Sequence, residues 1–308
     1  MKIIFMGTPE FAVSSLKALI ESDHDVVAVV AQPDKPKGRG RKLAPPPTKA
    51  LAEQHNIPVL QPEKVRTQEF LSQLQNLSPD LICVTAYGKI LPKSILEVPP
   101  YGCINVHASL LPKYRGAAPI NWVIVRGETQ SGITTMLMDE GMDTGDMLLK
   151  KEIQIQDEDD AGSLSEKLSQ LGAELLLETI SQLQEGKLGP AKQDESLATY
   201  APMLKKSDGE IKWENPASEL WNLIRGMNPW PGTFTTLGNK SLKIFKATLI
   251  DGEGSPGEVL ESDPGVLRVS TGEGALEILE LQLEGGKRLD TKSFLAGRKI
   301  EKGTILGN

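Results

Sequence analysis

The first 31 residues, MKIIFMGTPEFAVSSLKALIESDHDVVAVVA (residues 1–31), decide the fold class. Two short apolar runs, Ile3–Met6 and Val26–Val30, contain β-branched residues and are typical of buried strands. The residues between them, Phe11–Ile20, predict a helix. A strand, a helix and a second buried strand in this order are typical of a parallel sheet whose faces are covered by helices.

The same alternation continues through the first half of the chain. Helices are predicted at Thr48–His55 and Phe70–Leu77, and a strand is predicted at Leu81–Thr85. Ser163-Leu164-Ser165-Glu166 matches a capping box, which predicts that a helix begins there and ends before Gly186. Residues 1–186 are therefore predicted to form an α/β domain with a doubly wound, mostly parallel, Rossmann-like sheet.

The second half has a different pattern. Residues 187–206 are polar and contain Gly189-Pro190 and Ala201-Pro202, which predicts an interdomain linker. Beyond a helical segment at Pro216–Gly226, short strands alternate with glycine-rich turns: Thr233–Leu237, Leu242–Ala247, Gly257–Leu260, Val266–Ser270 and Ala275–Leu283. This spacing predicts a small, OB-like β-barrel in residues 207–308.

Composition restricts the classes of function. At 308 residues, with 39% hydrophobic and 24% charged residues, the chain is typical of a two-domain globular protein. No apolar run is long enough to span a bilayer and no signal peptide is recognisable, so we expect a cytoplasmic protein. Cys83 and Cys103 lack metal-ligand spacing and the three histidines are scattered, so no metal site is expected. The turn Gly7–Phe11 lacks the three-glycine dinucleotide fingerprint, which disfavours a nicotinamide cofactor.

Asn105, His107 and Asp143 are the strongest candidates for chemistry. Asn105-Val106-His107 is predicted to end a buried strand, where side chains two residues apart share a face. An amide and an imidazole on one face suit a developing oxyanion, and a carboxylate such as Asp143 can hold the imidazole protonated. No nucleophilic serine or cysteine lies between Asn105 and His107, which favours direct transfer between two bound substrates. The alternative is that His107 is a satisfied buried histidine and Asn105 a turn former.

The residues around these candidates match a known signature. Asn105–Pro119 and Met142–Asp146 resemble the signature of the formyltetrahydrofolate-dependent formyltransferases. The resemblance implies that Asn105, His107 and Asp143 form the catalytic site and that 10-formyltetrahydrofolate is the co-substrate. It also implies folate contacts at six residues: Ser109, Leu110, Leu111, Pro112, Ile90 and Leu91.

A basic segment follows the second predicted strand. Residues 34–49 carry six cationic side chains against one carboxylate, a local charge of +5 in a chain with a formal net charge of −7. On charge alone, the segment is either a solvated loop or a loop that grips a polyanion. It is similar to a loop of the formyltransferases that act on methionyl-tRNA, as are four further segments: Met6–Phe11, Tyr87–Pro92, Asn228–Gly232 and Leu281–Gly307.

This second resemblance implies an acceptor. The formyl group would pass to the α-amino group of methionine on initiator Met-tRNA, in support of translation initiation. The resemblance implies tRNA contacts at Lys37, Arg39, Arg41 and Lys42 and further contacts in residues 207–308. We also expect a monomeric enzyme and, because no apolar run can span a bilayer, no membrane partner.

Several alternatives share parts of this pattern. A glycinamide ribonucleotide formyltransferase would share the three catalytic residues but needs neither the basic segment nor a second domain. A sugar-nucleotide formyltransferase needs a second-domain site for another acceptor, and a formyltetrahydrofolate hydrolase would use water as the acceptor. A non-catalytic RNA-binding protein on the same scaffold is the alternative outside enzymes, and intact Asn105, His107 and Asp143 argue against it.

Overall fold

The computed structural model describes residues 1–37 and 42–307, and the chain divides into two compact units. The first unit consists of Met1–Pro119, Ser131–Ile153 and Ser165–Pro202. The second consists of Ile120–Gln130, Gln154–Leu164 and Met203–Asn308. Separate apolar cores lie in the two units, one around Ile4 and Ile82 and the other around Leu220 and Leu276.

The helices and strands follow the predicted order. The strands are β1 Lys2–Gly7, β2 Asp25–Val30, β3 Lys35–Lys37, β4 Lys42–Ala44, β5 Val59–Leu60, β6 Leu81–Thr85, β7 Cys103–His107, β8 Arg115–Gly116, β9 Gln130–Leu137, β10 Met147–Gln154, β11 Tyr200–Ala201, β12 Thr233–Leu237, β13 Lys240–Ile250, β14 Val259–Asp263, β15 Val266–Ser270, β16 Ala275–Leu283 and β17 Leu289–Asp290. The helices are α1 Val13–Ile20, α2 Pro47–Gln54, α3 Gln68–Leu77, α4 Lys93–Leu96, α5 Pro119–Val125, α6 Ala161–Gln184, α7 Ala217–Met227 and α8 Thr291–Gly297. None of the helices in the described ranges is both long and apolar enough to cross a membrane.

The sheet of the first unit determines where a ligand can bind. It has seven strands in the order β10-β9-β7-β6-β1-β2-β5. The strands from β5 to β7 run parallel, whereas β9 is antiparallel to β7. The predicted mostly parallel α/β fold is therefore confirmed. Because β1, β6 and β7 are parallel, their carboxyl ends lie along one edge, where ligands of such sheets bind.

The long helix α6 begins earlier than predicted, and the predicted capping box at Ser163 is wrong. α6 begins at Ala161, and the Ser163 backbone N–H donates to Asp160 Oδ1 at 2.8 Å. In return, the Asp160 backbone N–H donates to Ser163 Oγ at 3.2 Å. Ser163 is thus the last residue of a box that starts at Asp160. Asp160 and Ser163 are both favoured N-cap residues, so residues 160–163 and 163–166 are overlapping candidates, and the Glu at the fourth position, present only in the second, indicates the wrong one.

The second unit is an antiparallel β domain, as predicted. Its strands lie in the order β12-β13-β16-β15-β14, with β17 beside β16. The last residues of the described chain connect the two edge strands. The Gly307 N–H donates to Thr236 O of β12 at 3.0 Å, and the Val259 N–H of β14 donates to Thr304 O at 2.8 Å. These bonds close the sheet, and the core inside it includes Leu220 and Ile224 of α7.

Residues 191–201 are hydrogen bonded to the first unit along most of their length. Ala191 forms an antiparallel bridge with Met147, and β11 pairs in parallel with β8. The Arg115 N–H donates to Thr199 O at 2.8 Å, and the Ala117 N–H donates to Ala201 O at 2.9 Å. Residues 187–206 were predicted to be a linker from their polar composition. Part of this segment is hydrogen bonded into the first unit, which extends to Pro202.

Candidate active site

Strand β7 carries Asn105 and His107 to the carboxyl edge of the first unit's sheet. Asn105 pairs with Val84 of β6, and His107 pairs with Thr134 of β9. The His107 side chain is 6% exposed, whereas Asn105 is half-buried and a ligand can reach it. The residues before them, Cys103 and Ile104, are buried, so the polar pair stands out at the end of an apolar strand.

Both ring nitrogens of His107 have defined surroundings. Nε2 lies 3.0 Å from the carbonyl oxygen of Tyr114. A carbonyl oxygen can only accept, so Nε2 carries the hydrogen of this bond. Nδ1 lies 3.6 Å from Asp143 Oδ1, a distance too long for a strong hydrogen bond but short enough for charge attraction when the ring is protonated. The Tyr114 carbonyl therefore fixes the ring and leaves Nδ1 as the nitrogen that can exchange a proton with a ligand.

The carboxylate of Asp143 is held from its other side. The Gly116 N–H donates to Asp143 Oδ2 at 2.8 Å, so one carboxylate oxygen is directed to β8 and the other to His107. Asp143 has a φ of 57°, in the left-handed region that non-glycine residues avoid. A Cβ atom on Gly145 would lie 1.8 Å from Leu137 O, so this position of the loop requires glycine. The glycines of the signature thus set the loop that presents Asp143.

The loop after β7, where folate contacts were predicted, is fixed by a threonine that the sequence did not single out. Thr134 Oγ1 donates to Ser109 O at 2.7 Å and accepts from the Leu111 N–H at 3.1 Å. Ser109 Oγ donates to Lys113 O at 2.6 Å, and the Lys150 ammonium donates to Leu111 O. Thr134 has ordinary strand composition around it, so no sequence signal distinguishes it.

The predicted folate residues differ in accessibility. Ile90 is 60% exposed, whereas Leu91, Ser109 and Leu111 are buried, and Leu110 and Pro112 are half-buried. A cavity of about 320 Å³ is lined by Arg66, Ile90, Leu91, Pro92, Ser94 and Glu140. Ile90, Leu91 and Pro92 form its apolar side, and Arg66, Ser94 and Glu140 supply polar groups that could pair with the polar edge of a folate ring system. Contacts of all six residues with folate remain a prediction.

Two other kinds of chemistry have weak support. Burial raises the pKa of the Cys103 thiol to about 12 and also raises the pKa of Cys83, so neither sulfur is a nucleophile near neutral pH. No group of His, Cys, Asp or Glu side chains within residues 1–37 and 42–307 is arranged to hold a metal ion.

Part of the basic segment, β3 and β4, forms a hairpin, the basic hairpin. β3 and β4 pair as an antiparallel hairpin in which Lys37 is opposite Lys42. The predicted tRNA contacts Arg39 and Arg41 lie outside the described residues. Before the hairpin, Lys49 Nζ lies 3.0 Å from the Asp34 carboxylate, and Gln61 Nε2 donates to Asp34 Oδ1 at 2.7 Å. These two partners hold the pKa of the Asp34 carboxyl below its usual value, Gln61 making the larger contribution.

Comparisons with known proteins identify related families and chains. Residues 1–180 match the model of the formyl transferase family, and residues 203–299 match the model of the formyl transferase C-terminal domain. The chain is 56% identical to the methionyl-tRNA formyltransferase of Citrifermentans bemidjiense over 307 residues, which cover 100% of this chain and 96% of that protein. It is also 56% identical to the methionyl-tRNA formyltransferase of Geobacter metallireducens over 308 residues, covering 100% and 99% of the two chains.

Among solved structures, the chain is similar in fold to HypX from Aquifex aeolicus in complex with tetrahydrofolic acid. The TM-score is 0.64 at 17% identity, over 99% of this chain and 51% of that chain. The chain thus spans about half the length of HypX, and at this identity the likeness describes the fold.

Proposed function

The chain belongs to the methionyl-tRNA formyltransferase family, and we propose that it transfers the formyl group of 10-formyltetrahydrofolate to the α-amino group of methionine on initiator Met-tRNA. The observation that carries the proposal is the group formed by Asn105, His107 and Asp143, with Nδ1 of His107 3.6 Å from the Asp143 carboxylate at the end of a buried strand. A buried imidazole beside a carboxylate is what an acyl transfer to an amine needs at neutral pH.

Formyl transfer to an amine places negative charge on the formyl oxygen and moves a proton from the amine to the departing folate nitrogen. Asn105 donates its side-chain N–H to the oxygen, and His107 donates through Nδ1–H. One such donor is typically worth about 3–4 kcal/mol of barrier. Asp143 stabilises the charged imidazole, and its free lone pairs accept the proton that the amine releases, directly or through water.

The neighbouring backbone keeps these groups in place. The Nε2–H of His107 donates to Tyr114 O, so rotation of the imidazole ring would break this hydrogen bond. Gly116 N–H occupies Asp143 Oδ2, which leaves Oδ1 for His107. The loop Ser109–Pro112, pinned by Thr134, would contact folate, together with Ile90 and Leu91.

We assign binding of the acceptor to the basic hairpin and to the second unit. Lys37, Arg39, Arg41 and Lys42 supply cations for the acceptor end, with Arg39 between two glycines. In the second unit, β13 exposes three lysines, Lys240, Lys243 and Lys246, which supply further charge for a phosphate backbone. On this assignment residues 1–186 are catalytic and residues 207–308 bind tRNA, and the enzyme acts as a monomer.

A formyl-transfer assay with different acceptors tests the proposal. Labelled 10-formyltetrahydrofolate would be mixed with enzyme and, in separate reactions, initiator Met-tRNA, elongator Met-tRNA, uncharged initiator tRNA, glycinamide ribonucleotide, an amino-sugar nucleotide, or no acceptor. We expect rapid transfer to initiator Met-tRNA alone. Rapid labelling of glycinamide ribonucleotide or of the amino sugar would contradict the proposal, and so would formate release at the same rate without an acceptor.

A further inference from the structure

The side chain of Gln193, in residues 191–201, hydrogen bonds to the loop that presents Asp143. Gln193 Nε2 donates to Asp143 O at 2.8 Å and to Gly145 O at 2.8 Å. Both hydrogens of this amide nitrogen therefore go to backbone carbonyls, one of Asp143 itself and one of Gly145 two residues later. Gln193 is outside both matched family regions, 1–180 and 203–299.

The orientation of the Gln193 amide is fixed by Arg115. Gln193 Oε1 accepts from Arg115 Nε at 3.1 Å and from Arg115 Nη2 at 2.8 Å. An amide turned by 180° would put its N–H groups against the guanidinium, where only an acceptor is tolerated. Gln193 thus uses both of its hydrogens and its carbonyl oxygen, and a glutamate in its place could still accept from Arg115 but could not donate to the loop.

Arg115 is in turn held by a bidentate ion pair. Its side chain has no exposed surface, and Nη1 and Nη2 each donate to a Glu195 carboxylate oxygen at 2.8 Å. These bonds lower the pKa of the Glu195 carboxyl, so the pair stays charged near neutral pH. A buried guanidinium without such a partner is strongly unfavourable. Arg115 is therefore a rigid support between β8, which binds Asp143 Oδ2 through Gly116, and Gln193.

The Asp143 loop needs external support because its conformation is unfavourable by itself. The left-handed region is less favourable than ordinary backbone for any non-glycine residue, although Asp tolerates it better than most, so contacts from the surroundings help to hold the turn. The two carbonyls that Gln193 binds belong to this residue and to Gly145, so both bonds hold the backbone where the left-handed residue leads into the rest of the loop. Loss of both bonds frees the turn, and the 3.6 Å approach of the Asp143 carboxylate to His107 is no longer imposed.

We infer that Gln193 is a positioning residue for the transfer reaction, which holds the backbone of the Asp143 loop so that the carboxylate meets His107. This inference rests on the proposed function, because it assigns Gln193 a role through Asp143. It predicts that Gln193 affects kcat and not the binding of either substrate, since the side-chain hydrogen bonds of Gln193 within the described residues go to the loop backbone and to Arg115.

The test begins with Gln193→Glu. The variant keeps an acceptor for Arg115 and replaces the two N–H donors by an oxygen that repels the carbonyls of Asp143 and Gly145. We expect kcat to fall between 10-fold and 100-fold, with KM for 10-formyltetrahydrofolate and for Met-tRNA changed less than twofold. Gln182→Glu is the matched control, because Gln182 is on α6 and its Nε2 bonds only to Glu178 on the helix surface. We expect wild-type kcat from the control.

A double-mutant cycle with Asp143→Asn separates positioning from general structural support. Asparagine leaves the Asp143 backbone carbonyl in place, so the Gln193 contacts persist and any effect on folding is the same in both backgrounds. We expect Gln193→Glu to lower kcat less than twofold in the Asp143→Asn background, because the group through which it acts is already lost. Thermal unfolding should show the same shift in Tm for Gln193→Glu in both backgrounds.

The outcomes of this cycle distinguish a failure of the positioning inference from a failure of the role assigned to Asp143. Equal losses of kcat in the two backgrounds, or wild-type kcat in Gln193→Glu while Asp143→Asn is inactive, would overturn the positioning inference and leave the proposed function intact. Wild-type transfer by Asp143→Asn would instead overturn the assignment of Asp143 and, with it, this inference. If Gln193→Glu does not fold, Gln193→Met repeats the loss of the donors without adding charge and is expected to give the same cycle.

Discussion

The sheets of the two units differ in how they use polar residues. At the centre of the first unit's sheet, β6 is buried at every position and β1 at all but its first, so these parallel strands are almost entirely apolar. In the second unit, exposed and buried positions are interspersed along β13, and polar residues are ordinary there. Asn105 and His107 therefore stand out in the first sheet, whereas a functional lysine in the second sheet looks like solvent-exposed surface.

On the proposed function, the chemistry belongs to the first unit, and acceptor binding and stability depend on other regions as well. The following four predictions test that division, from the largest expected effect to the smallest.

Replacement of Asp143 by asparagine should have the largest effect. The change removes the charge that stabilises protonated His107 and keeps the size of the side chain. By comparison with other His–carboxylate pairs, kcat should fall by about 10³-fold to 10⁴-fold. The measurement is steady-state transfer to Met-tRNA, with circular dichroism to verify the fold. A folded variant with near-wild-type kcat would show that the Asp143 carboxylate is not needed for the transfer.

Asn105→Ala and His107→Ala should each lower kcat by about 10²-fold to 10³-fold, because each removes a donor to the same oxyanion. The double variant should lose much less than the product of the two factors, since groups that act on one atom are not independent. Activation free energies from the four enzymes give the coupling. Strict additivity would argue that the two side chains serve different steps.

Arg39→Ala tests the proposed contact between the basic segment, residues 34–49, and the acceptor end of the tRNA. The loss of one cation that contacts the acceptor end should raise KM for Met-tRNA by about tenfold and make its dependence on salt shallower, with folate binding unchanged. Lys17→Ala is the control, because Lys17 is an exposed cation on α1 whose ion pair, within the described part of the chain, is with Glu21. An equal rise of KM in both variants would indicate a general charge effect rather than a contact by the basic hairpin.

Trp213→Phe should affect stability and leave catalysis unchanged. Trp213 is 3% exposed in the core of the second unit, and its Nε1–H donates to Thr235 Oγ1 at 3.0 Å. Loss of this bond and part of the ring should lower the free energy of unfolding by about 1–2 kcal/mol. Trp230→Phe, at a position that is 55% exposed, should change it by less than about 0.5 kcal/mol. A large fall of kcat at saturating substrates in folded Trp213→Phe would mean that the second unit takes part in the chemistry.

The sequence predicted the regular elements well because their hydrophobic patterns are strong. β6, β12, β15 and β16 have the predicted bounds, since each is an apolar or alternating run between turn residues. It did not predict β8 and β11, because two-residue strands have no periodicity to detect. The mistake at Ser163 has a similar origin, since two capping patterns overlap in the same residues.

The candidate site was predictable only in part. Asn105, His107 and Asp143 were predicted because polar residues end an apolar strand and lie in a glycine-flanked loop, and because the surrounding residues resemble the formyltransferase signature; the structure brings His107 and Asp143 together, and the catalytic roles stay a prediction. The residues that hold them were not found. Tyr114 acts through its backbone carbonyl, Thr134 is an ordinary strand residue, and Gln193 lies in a polar stretch that has no pattern. Their placement depends on contacts between distant parts of the chain, and local sequence patterns do not reveal such contacts.

Rapid-quench analysis of a single turnover tests the central claim, direct transfer in the first unit, most directly. Enzyme would be mixed with 10-formyltetrahydrofolate labelled in the formyl group and with initiator Met-tRNA, and the label in folate, protein, formate and tRNA would be followed in time. We predict that the label passes from folate to tRNA in one step, with none on the protein, and that Asp143→Asn slows this step without changing the route. Label that accumulates on the protein before it reaches tRNA, or that leaves as formate at the same rate without tRNA, would contradict the account.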